Sequence, residues 1–262
     1  MLFFMIFKIS IMNYKVEGKG EPLLFIHGLS DNLLYWEFLA NNLKNDYQVI
    51  RVDLRGHGES ELGNDEITID SYVDDLINIL NELNIDKVNL IGFSLGGVIA
   101  LDFTVKYPEK VYSLVLMSSF AKIDGYLTQT FNQFKSTLNK GFKDFYDFML
   151  PKVLCPNVIE DNKEELELLR EISSQNANVD AFIKAVDACL MFDVEDKLSQ
   201  ITIPTLILAG KYDDITLLSV QKSMHGNIND SKLIVFDNTK HNLLVGKNNA
   251  EILNILKNFY KK

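Results

Sequence analysis

Apolar residues along this 262-residue chain follow two rhythms, and the alternation between them sets out its organisation. Short branched runs at 13–17, 23–26, 47–52, 87–91 and 112–117 read as strands, several of them apolar at successive positions, as in a sheet covered on both faces. Between them, 33–43, 70–83 and 95–107 carry apolar residues at helical spacing. Asp70, Asp74 and Asp75 bring acids to the start of the second of these, and Pro108 follows the end of the third. The alternation resumes late, with strands at 203–209 and 233–236 and helices at 215–224 and 248–259. Alternating strands and helices predict an α/β fold with a doubly wound, mostly parallel sheet that binds ligands at the carboxyl ends of its strands.

Residues 121–195 interrupt that order with helical patterns alone, at 127–138, 142–149, 163–173 and 179–191. A helical segment inserted between two core strands reads as a cap, giving a core of 1–120 and 196–262 and a cap of 121–195. Its first two helices are crowded with Phe131, Phe134, Phe142, Phe145, Tyr146 and Phe148. Most of these rings are expected to pack cap on core, and about a third to face a ligand, given the usual apolar lining of small-molecule pockets.

The chain is 47% hydrophobic, enough for one domain with a large core and an insertion. Its formal net charge of −10 is spread without a basic cluster, which argues against nucleic acid and against anionic membrane surfaces. Cys155 and Cys189 lie far from each other and from any His at metal spacing, so no metal site is expected. A disulfide between them stays open, with reduced, buried thiols the expectation. The apolar start, residues 1–7, lacks a basic segment before it and a small-residue cleavage site after it, and Lys8 interrupts it. It is far shorter than the roughly 20 residues that cross a bilayer. Either a first strand or residues added by an upstream start accounts for it, and a cytoplasmic protein without a membrane segment is expected.

Chemistry concentrates where the strand at 87–91 runs into the helix at 95–107, through Gly92-Phe93-Ser94-Leu95-Gly96-Gly97. A serine between glycines at a strand-to-helix turn is the nucleophile-elbow pattern. The turn is so tight that glycines must flank it, and it exposes the hydroxyl at a helix N-terminus, where free N–H groups favour a developing oxyanion. Such a serine needs an acid and then a histidine, in that chain order. The strand at 203–209 is followed by Gly210-Lys211-Tyr212-Asp213-Asp214, and that at 233–236 by Asp237-Asn238-Thr239-Lys240-His241. His241 is the expected base for Ser94, and one of the adjacent Asp213 and Asp214 faces the imidazole. His225 falls in a predicted helix, follows no strand and reads as a surface residue.

These motifs, with Leu23-Leu24-Phe25-Ile26-His27-Gly28-Leu29, Asp53-Leu54-Arg55-Gly56-His57-Gly58-Glu59-Ser60 and Tyr107-Pro108-Glu109-Lys110-Val111, resemble the α/β-hydrolase superfamily. The likeness is to its small esterases, lactonases and cofactor-free haloperoxidases, and it spans nearly the whole chain outside 121–195. The resemblance implies no cofactor, a small-molecule ester or lactone as substrate, and an acid three residues after the turn glycine, hence Asp213. It also implies that the backbone N–H groups of Leu29 and Leu95 form the oxyanion hole, with Ser30 standing where a glycine is frequent. His27 and His57 precede Ser94 and occupy positions that are structural in the family. Asp53 and Arg55 read as a turn-stabilising pair. Two functions follow: hydrolysis through an acyl-enzyme, or a triad-retaining small-molecule receptor that acts by binding a partner. Perhydrolysis, acyl transfer and carbon–carbon hydrolysis share the same triad, whereas the related dehalogenases place an Asp at the nucleophile.

Overall fold

The apolar runs become β1 (Tyr14–Glu17), β2 (Pro22–Ile26), β3 (Gln48–Val52), β4 (Val88–Phe93), β5 (Val111–Met117), β6 (Thr205–Gly210) and β7 (Ser231–Phe236). The computed structural model describes residues 12–261, so the expected first strand at 1–7 lies outside the described residues. The strands form one sheet in the order β1-β3-β2-β4-β5-β6-β7, antiparallel only between β1 and β3. Strands β4 and β6 are buried at every residue, while β1 and β7, at the edges, are partly open. This contrast reflects helices covering both faces of the sheet centre.

The helices are α1 (Glu37–Leu43), α2 (Ile69–Glu82), α3 (Leu95–Lys106), α4 (Gly125–Leu138), α5 (Phe142–Val153), α6 (Pro156–Asp161), α7 (Lys163–Asn176), α8 (Val179–Leu190), α9 (Leu218–Asn227) and α10 (Asn248–Tyr260). One core layer joins Trp36, Leu39 and Leu43 to Ile252 and Leu256, so α1 and α10 cover one face of the sheet. The other joins Tyr72, Leu76, Val98, Phe103 and Met224, so α2, α3 and α9 cover the opposite face. Helix α2 shows how local sequence sets such an element. Thr68 and Ser71 cap it reciprocally, and Ile69, Tyr72, Val73, Leu76, Ile79 and Leu80 share its buried side.

Element ends differ from the sequence reading at several places, and three of the differences have a clear cause. The helix expected from 215 begins at Leu218, because the amides of Ile215 and Thr216 are taken by the Asp213 carboxylate instead of a helical ladder. Helix α5 runs beyond Met149, through Pro151 to Val153, since a proline in the last turn interrupts little of the ladder. Helix α6 was not anticipated, and starts on Pro156, whose fixed φ suits a first helical position.

The segment between β5 and β6 leaves and returns at one point. Lys122 and Asp193 form an antiparallel bridge, Val194 N–H donates to Ala121 O (2.8 Å), and Ile123 N–H donates to Phe192 O (3.2 Å). Within it, rings of α4 and α5 pack edge to face: Phe131 on Phe134 with centroids 5.3 Å apart, and Phe134 on Phe145 at 5.7 Å.

Strand β3 lies on one side of β2 and β4 on the other, so successive connections run in opposite directions and leave a crevice at the carboxyl ends of β2 and β4. His27 to Asn32 follow β2, and Ser94 follows β4.

Candidate active site

Ser94 stands between β4 and α3 with φ 51° and ψ −114°, a conformation that costs a residue bearing a Cβ. Tight surroundings hold it there. Its N–H donates to Met117 O (2.9 Å), and its carbonyl accepts from Gly97 N–H (2.9 Å), Val98 N–H (3.1 Å) and Ser119 Oγ (2.9 Å). A Cβ on Gly92 would meet Gly96 O at 2.2 Å, and one on Gly96 would meet Ile26 O at 2.1 Å. Glycines are therefore dictated at both positions by how closely β4, α3 and the β2 terminus approach.

His241, on the loop after β7, places Nε2 3.0 Å from Ser94 Oγ. Its Nδ1 lies 2.8 Å from Asp213 Oδ2 and 3.0 Å from Oδ1. A carboxylate only accepts, so Nδ1–H donates to Asp213 and Nε2 is left to accept from the serine hydroxyl. Asp213 is buried and further fixed by the amides of Ile215 (2.8 Å) and Thr216 (3.0 Å) on Oδ1 and by Thr216 Oγ1 (2.8 Å) on Oδ2. Ser118 Oγ donates to His241 O (2.8 Å), which ties the histidine loop to the end of β5.

The structure thus brings Asp213, rather than Asp214, to the imidazole. Asp214 turns to Lys240 Nζ and is only half-buried. Thr216 was missed in the sequence, although an Asp followed three residues later by Thr is a pattern in which a side chain caps its own turn.

Leu29 and Leu95 both border the cavity that opens at Ser94. Leu95 is the first residue of α3, so its amide is one of the N-terminal groups that a helix leaves unpaired. Ser30 adopts φ 61°, the left-handed conformation that explains a glycine preference at this turn. Serine is accommodated there, and the loop keeps Leu29 at the cavity wall.

The two histidines that precede Ser94 are buried among turns. His27 Nε2 accepts from Leu54 N–H (2.9 Å) while its Nδ1–H donates to Gly28 O (2.7 Å), and His57 Nδ1 bonds Arg55 O (3.1 Å). Their rings lie 5.3 Å apart. Burial lowers His27 to about 4 and His57 to about 3. Both are neutral in the fold near pH 7, whereas in the unfolded chain each takes a proton near the ordinary 6.5. Their contribution to stability is therefore present above pH 6.5 and is lost as pH falls from there toward 4 for His27 and toward 3 for His57. The loss should reach roughly 3 kcal/mol for His27 alone. Urea midpoints between pH 7.5 and 4.5 should fall steeply for the wild type and less steeply for His57→Gln. Equal slopes would assign the acid sensitivity to other groups.

Asp53 and Arg55 are not partners of each other, contrary to expectation. Asp53 accepts from Leu33 N–H (2.7 Å), Asn13 Nδ2 (2.9 Å) and Glu59 N–H (3.0 Å). Arg55 reaches across to α2 and binds Asp75 through Nε (2.9 Å) and Nη2 (2.8 Å). Each finds its partners on a different part of the fold, which their closeness in sequence conceals. His225 is exposed and bonds Ser231 Oγ (2.8 Å), as a surface residue. Both cysteines are free. Cys189 is buried, which raises its thiol to about 12, and Cys155 is half-buried. Among the described residues, no three or more His, Cys, Asp or Glu side chains converge as a metal site would. No helix of the described residues is long and apolar enough to cross a membrane.

The cavity above Ser94 measures about 400 Å³. Five of the six rings singled out on α4 and α5 line it, namely Phe131, Phe134, Phe142, Phe145 and Tyr146. That is well above the expected third. The ring cluster is itself the wall, so each ring packs on its neighbours by one edge and meets the cavity by another. Phe148 is the exception and packs on Phe134 and under Lys152.

A strand–serine–helix elbow, then a carboxylate and then an imidazole along a mostly parallel sheet match a known family. Residues 21–153 match the model of the alpha/beta hydrolase fold. The chain belongs to this family. It is 28% identical over 241 residues to 3-oxoadipate enol-lactonase 1 of Acinetobacter baylyi, covering 86% of this chain and 85% of the relative. It is 29% identical over 238 residues to the AB hydrolase superfamily protein YisY of Bacillus subtilis, covering 86% of each. Among solved structures, the alpha/beta hydrolase MGS-M2 from a Medee basin deep-sea metagenome library superposes with a TM-score of 0.89 at 22% identity, covering 96% of this chain and 94% of that one. This α/β-hydrolase therefore shares its overall fold with a solved hydrolase across most of its length.

Proposed function

We propose that this hydrolase cleaves a small carboxylic ester or lactone through a Ser94–His241–Asp213 triad. The observation that carries the reading is the continuous hydrogen-bond chain from Asp213 through His241 to Ser94 Oγ at the floor of an apolar cavity. The enol-lactonase relative supports the substrate class. In the proposed reaction Ser94 Oγ attacks the carbonyl carbon as His241 Nε2 takes its proton. The Leu29 and Leu95 amides receive the oxyanion, where one such donor lowers the barrier by about 3 kcal/mol. His241 then protonates the leaving alkoxide, and a water deprotonated by His241 releases the acid from the acyl-enzyme.

A fluorophosphonate probe tests this directly. Mass spectrometry should find one adduct, on Ser94, formed at a rate that falls when an ester substrate competes. An unlabelled Ser94 would exclude the mechanism. Labelling with ester turnover no faster than about one per hour would favour the receptor reading instead, since enzymes of ordinary efficiency turn over at about 10 s⁻¹.

The helices α4–α8 act as a cap in this reading, with their ring wall holding the acyl group. Phe134→Ala should open the cavity and shift the ratio of long-chain to short-chain ester turnover upward, since one methylene in an apolar pocket is worth about 1–3 kcal/mol of discrimination. It should also lower stability by about 3–5 kcal/mol, because Phe134 is buried against three other rings. Phe148→Ala should leave the ratio alone. Measuring kcat/KM from acetate to decanoate in both variants checks this, and equal ratios would remove Phe134 from the acyl site.

A further inference from the structure

Beyond the reacting groups, two parts of the cavity wall contrast. Helices α4, α5, α7 and α8 supply aromatic and aliphatic side chains, whereas the loop after β2 supplies Ser30, Asp31 and Asn32. Among the described residues that line the cavity, Asp31 is the sole Asp or Glu, and none is Lys or Arg.

Asp31 is half-buried at the cavity wall and differs from the buried acids. Asp53 accepts from three donors, Asp75 binds Arg55, Asp102 binds Lys106 and Asp213 is held by His241, Thr216 and Ile215. The Asp31 carboxylate has no such donor or cation among the described residues. Its amide donates to Gly28 O (3.3 Å), which closes the turn that carries Leu29, and its side chain is left for the cavity. Tyr35, which feels the Asp31 charge, directs its hydroxyl to Asn242 Oδ1 (3.1 Å) instead. Burial raises the Asp31 carboxyl to about 7, and burial followed by the Asp31 charge raises the Tyr35 phenol. An acid kept in an apolar cavity without a protein partner is one whose partner arrives with the ligand.

We propose that Asp31 is the residue that sets substrate charge: its carboxylate selects esters or lactones whose substituent carries a cation or a hydrogen-bond donor, and rejects those that carry a carboxylate. This rests on the hydrolase reading and narrows it. A lactone formed from 3-oxoadipate keeps one free carboxylate, so the reaction in the relative's name is disfavoured here by like-charge repulsion at a site without a compensating cation.

Two ester series of matched shape test the assignment at pH 8, where Asp31 is ionised. In one, p-nitrophenyl esters carry a methyl, trimethylammonio or carboxylate group at the far end of a hexanoyl chain. In the other, butyrate is esterified with 3,3-dimethylbutanol, choline or 3-hydroxypropanoate. In at least one series the wild-type kcat/KM for the cation should exceed that for the anion by at least about tenfold, as a juxtaposed carboxylate requires. Asp31→Asn should bring that ratio toward one, and Asp31→Lys should invert it. A wild-type preference for the anion in both series overturns the proposal without any variant, and so does a ratio that both variants leave unchanged.

Binding separates this result from failure of the hydrolase reading. In Ser94→Ala protein, hexyltrimethylammonium should raise Tm more than heptanoate does, and adding Asp31→Asn should abolish the difference. If Ser94 resists fluorophosphonate while the ammonium preference persists, Asp31 still selects charge and only the catalytic reading fails. If Ser94 is labelled while both ligands shift Tm equally, charge selection by Asp31 is overturned and the hydrolase stands.

Discussion

Ser94→Ala is expected to lower kcat toward p-nitrophenyl acetate by about 10⁶-fold, the usual loss when a triad nucleophile is removed. Little else should change. Alanine keeps the Cβ that already sits at φ 51°, so the backbone strain is the same in both proteins. What disappears is the Oγ and its 3.0 Å contact with His241 Nε2. The bonds to Met117 O and from Ser119 Oγ use the Ser94 backbone and survive. Circular dichroism and thermal melting should therefore match the wild type within a few degrees. A well-folded variant retaining a tenth of the activity would show that the chemistry does not pass through this hydroxyl.

Asp213→Asn is expected to lower kcat by about 10⁴-fold, because it reverses the imidazole. Two amides, from Ile215 and Thr216, point at Oδ1, so the Asn oxygen must take that place and its NH₂ group must replace Oδ2. That group donates to His241 Nδ1 where a carboxylate accepted. The proton moves to Nε2, which then donates to Ser94 Oγ and has no lone pair to receive the hydroxyl proton. Asp214→Asn removes a charge that faces Lys240 at a half-exposed position and should alter kcat by less than about tenfold, in keeping with the small energies of exposed pairs. The two variants measured side by side rank the acids. A larger loss in the Asp214 variant would transfer the role to that residue.

Much of this site could be read from the chain because its parts obey local rules. The Ser94 elbow needs glycines wherever a Cβ would meet backbone, and Gly92 and Gly96 meet that demand within five residues. Asp213 and His241 each follow an apolar strand at short distance, so finding the strands found the loops. Other features escaped for equally physical reasons. Arg55 was set beside Asp53 by sequence, but each finds its partners on a different part of the fold, and Arg55 finds its acid on α2. The start of α9 was placed early, since the amides of Ile215 and Thr216 are claimed by the Asp213 carboxylate and not by a helical ladder, a contact that local sequence does not reveal. Five rings line the cavity where about a third of six was expected from pocket composition. Periodicity reveals that a helix face is apolar, and not whether that face meets a core, a cavity or both.

The sequence by itself determined the α/β alternation, the break at the helical insert, the order Ser94, Asp213, His241 and the glycines that the elbow requires, since each depends on near neighbours in the chain. Tertiary structure alone decided what those pieces do together. The strand order β2-β4-β5-β6-β7 brings Ser94 and His241, 147 residues apart, to within a hydrogen bond. It left Asp214 turned toward Lys240, made a wall of the α4 and α5 rings, and left Asp31 in the cavity without a cation among the described residues. Such outcomes depend on which loops the parallel sheet gathers at one edge and which side chains remain unpaired there, a long-range matter that no window of the chain contains.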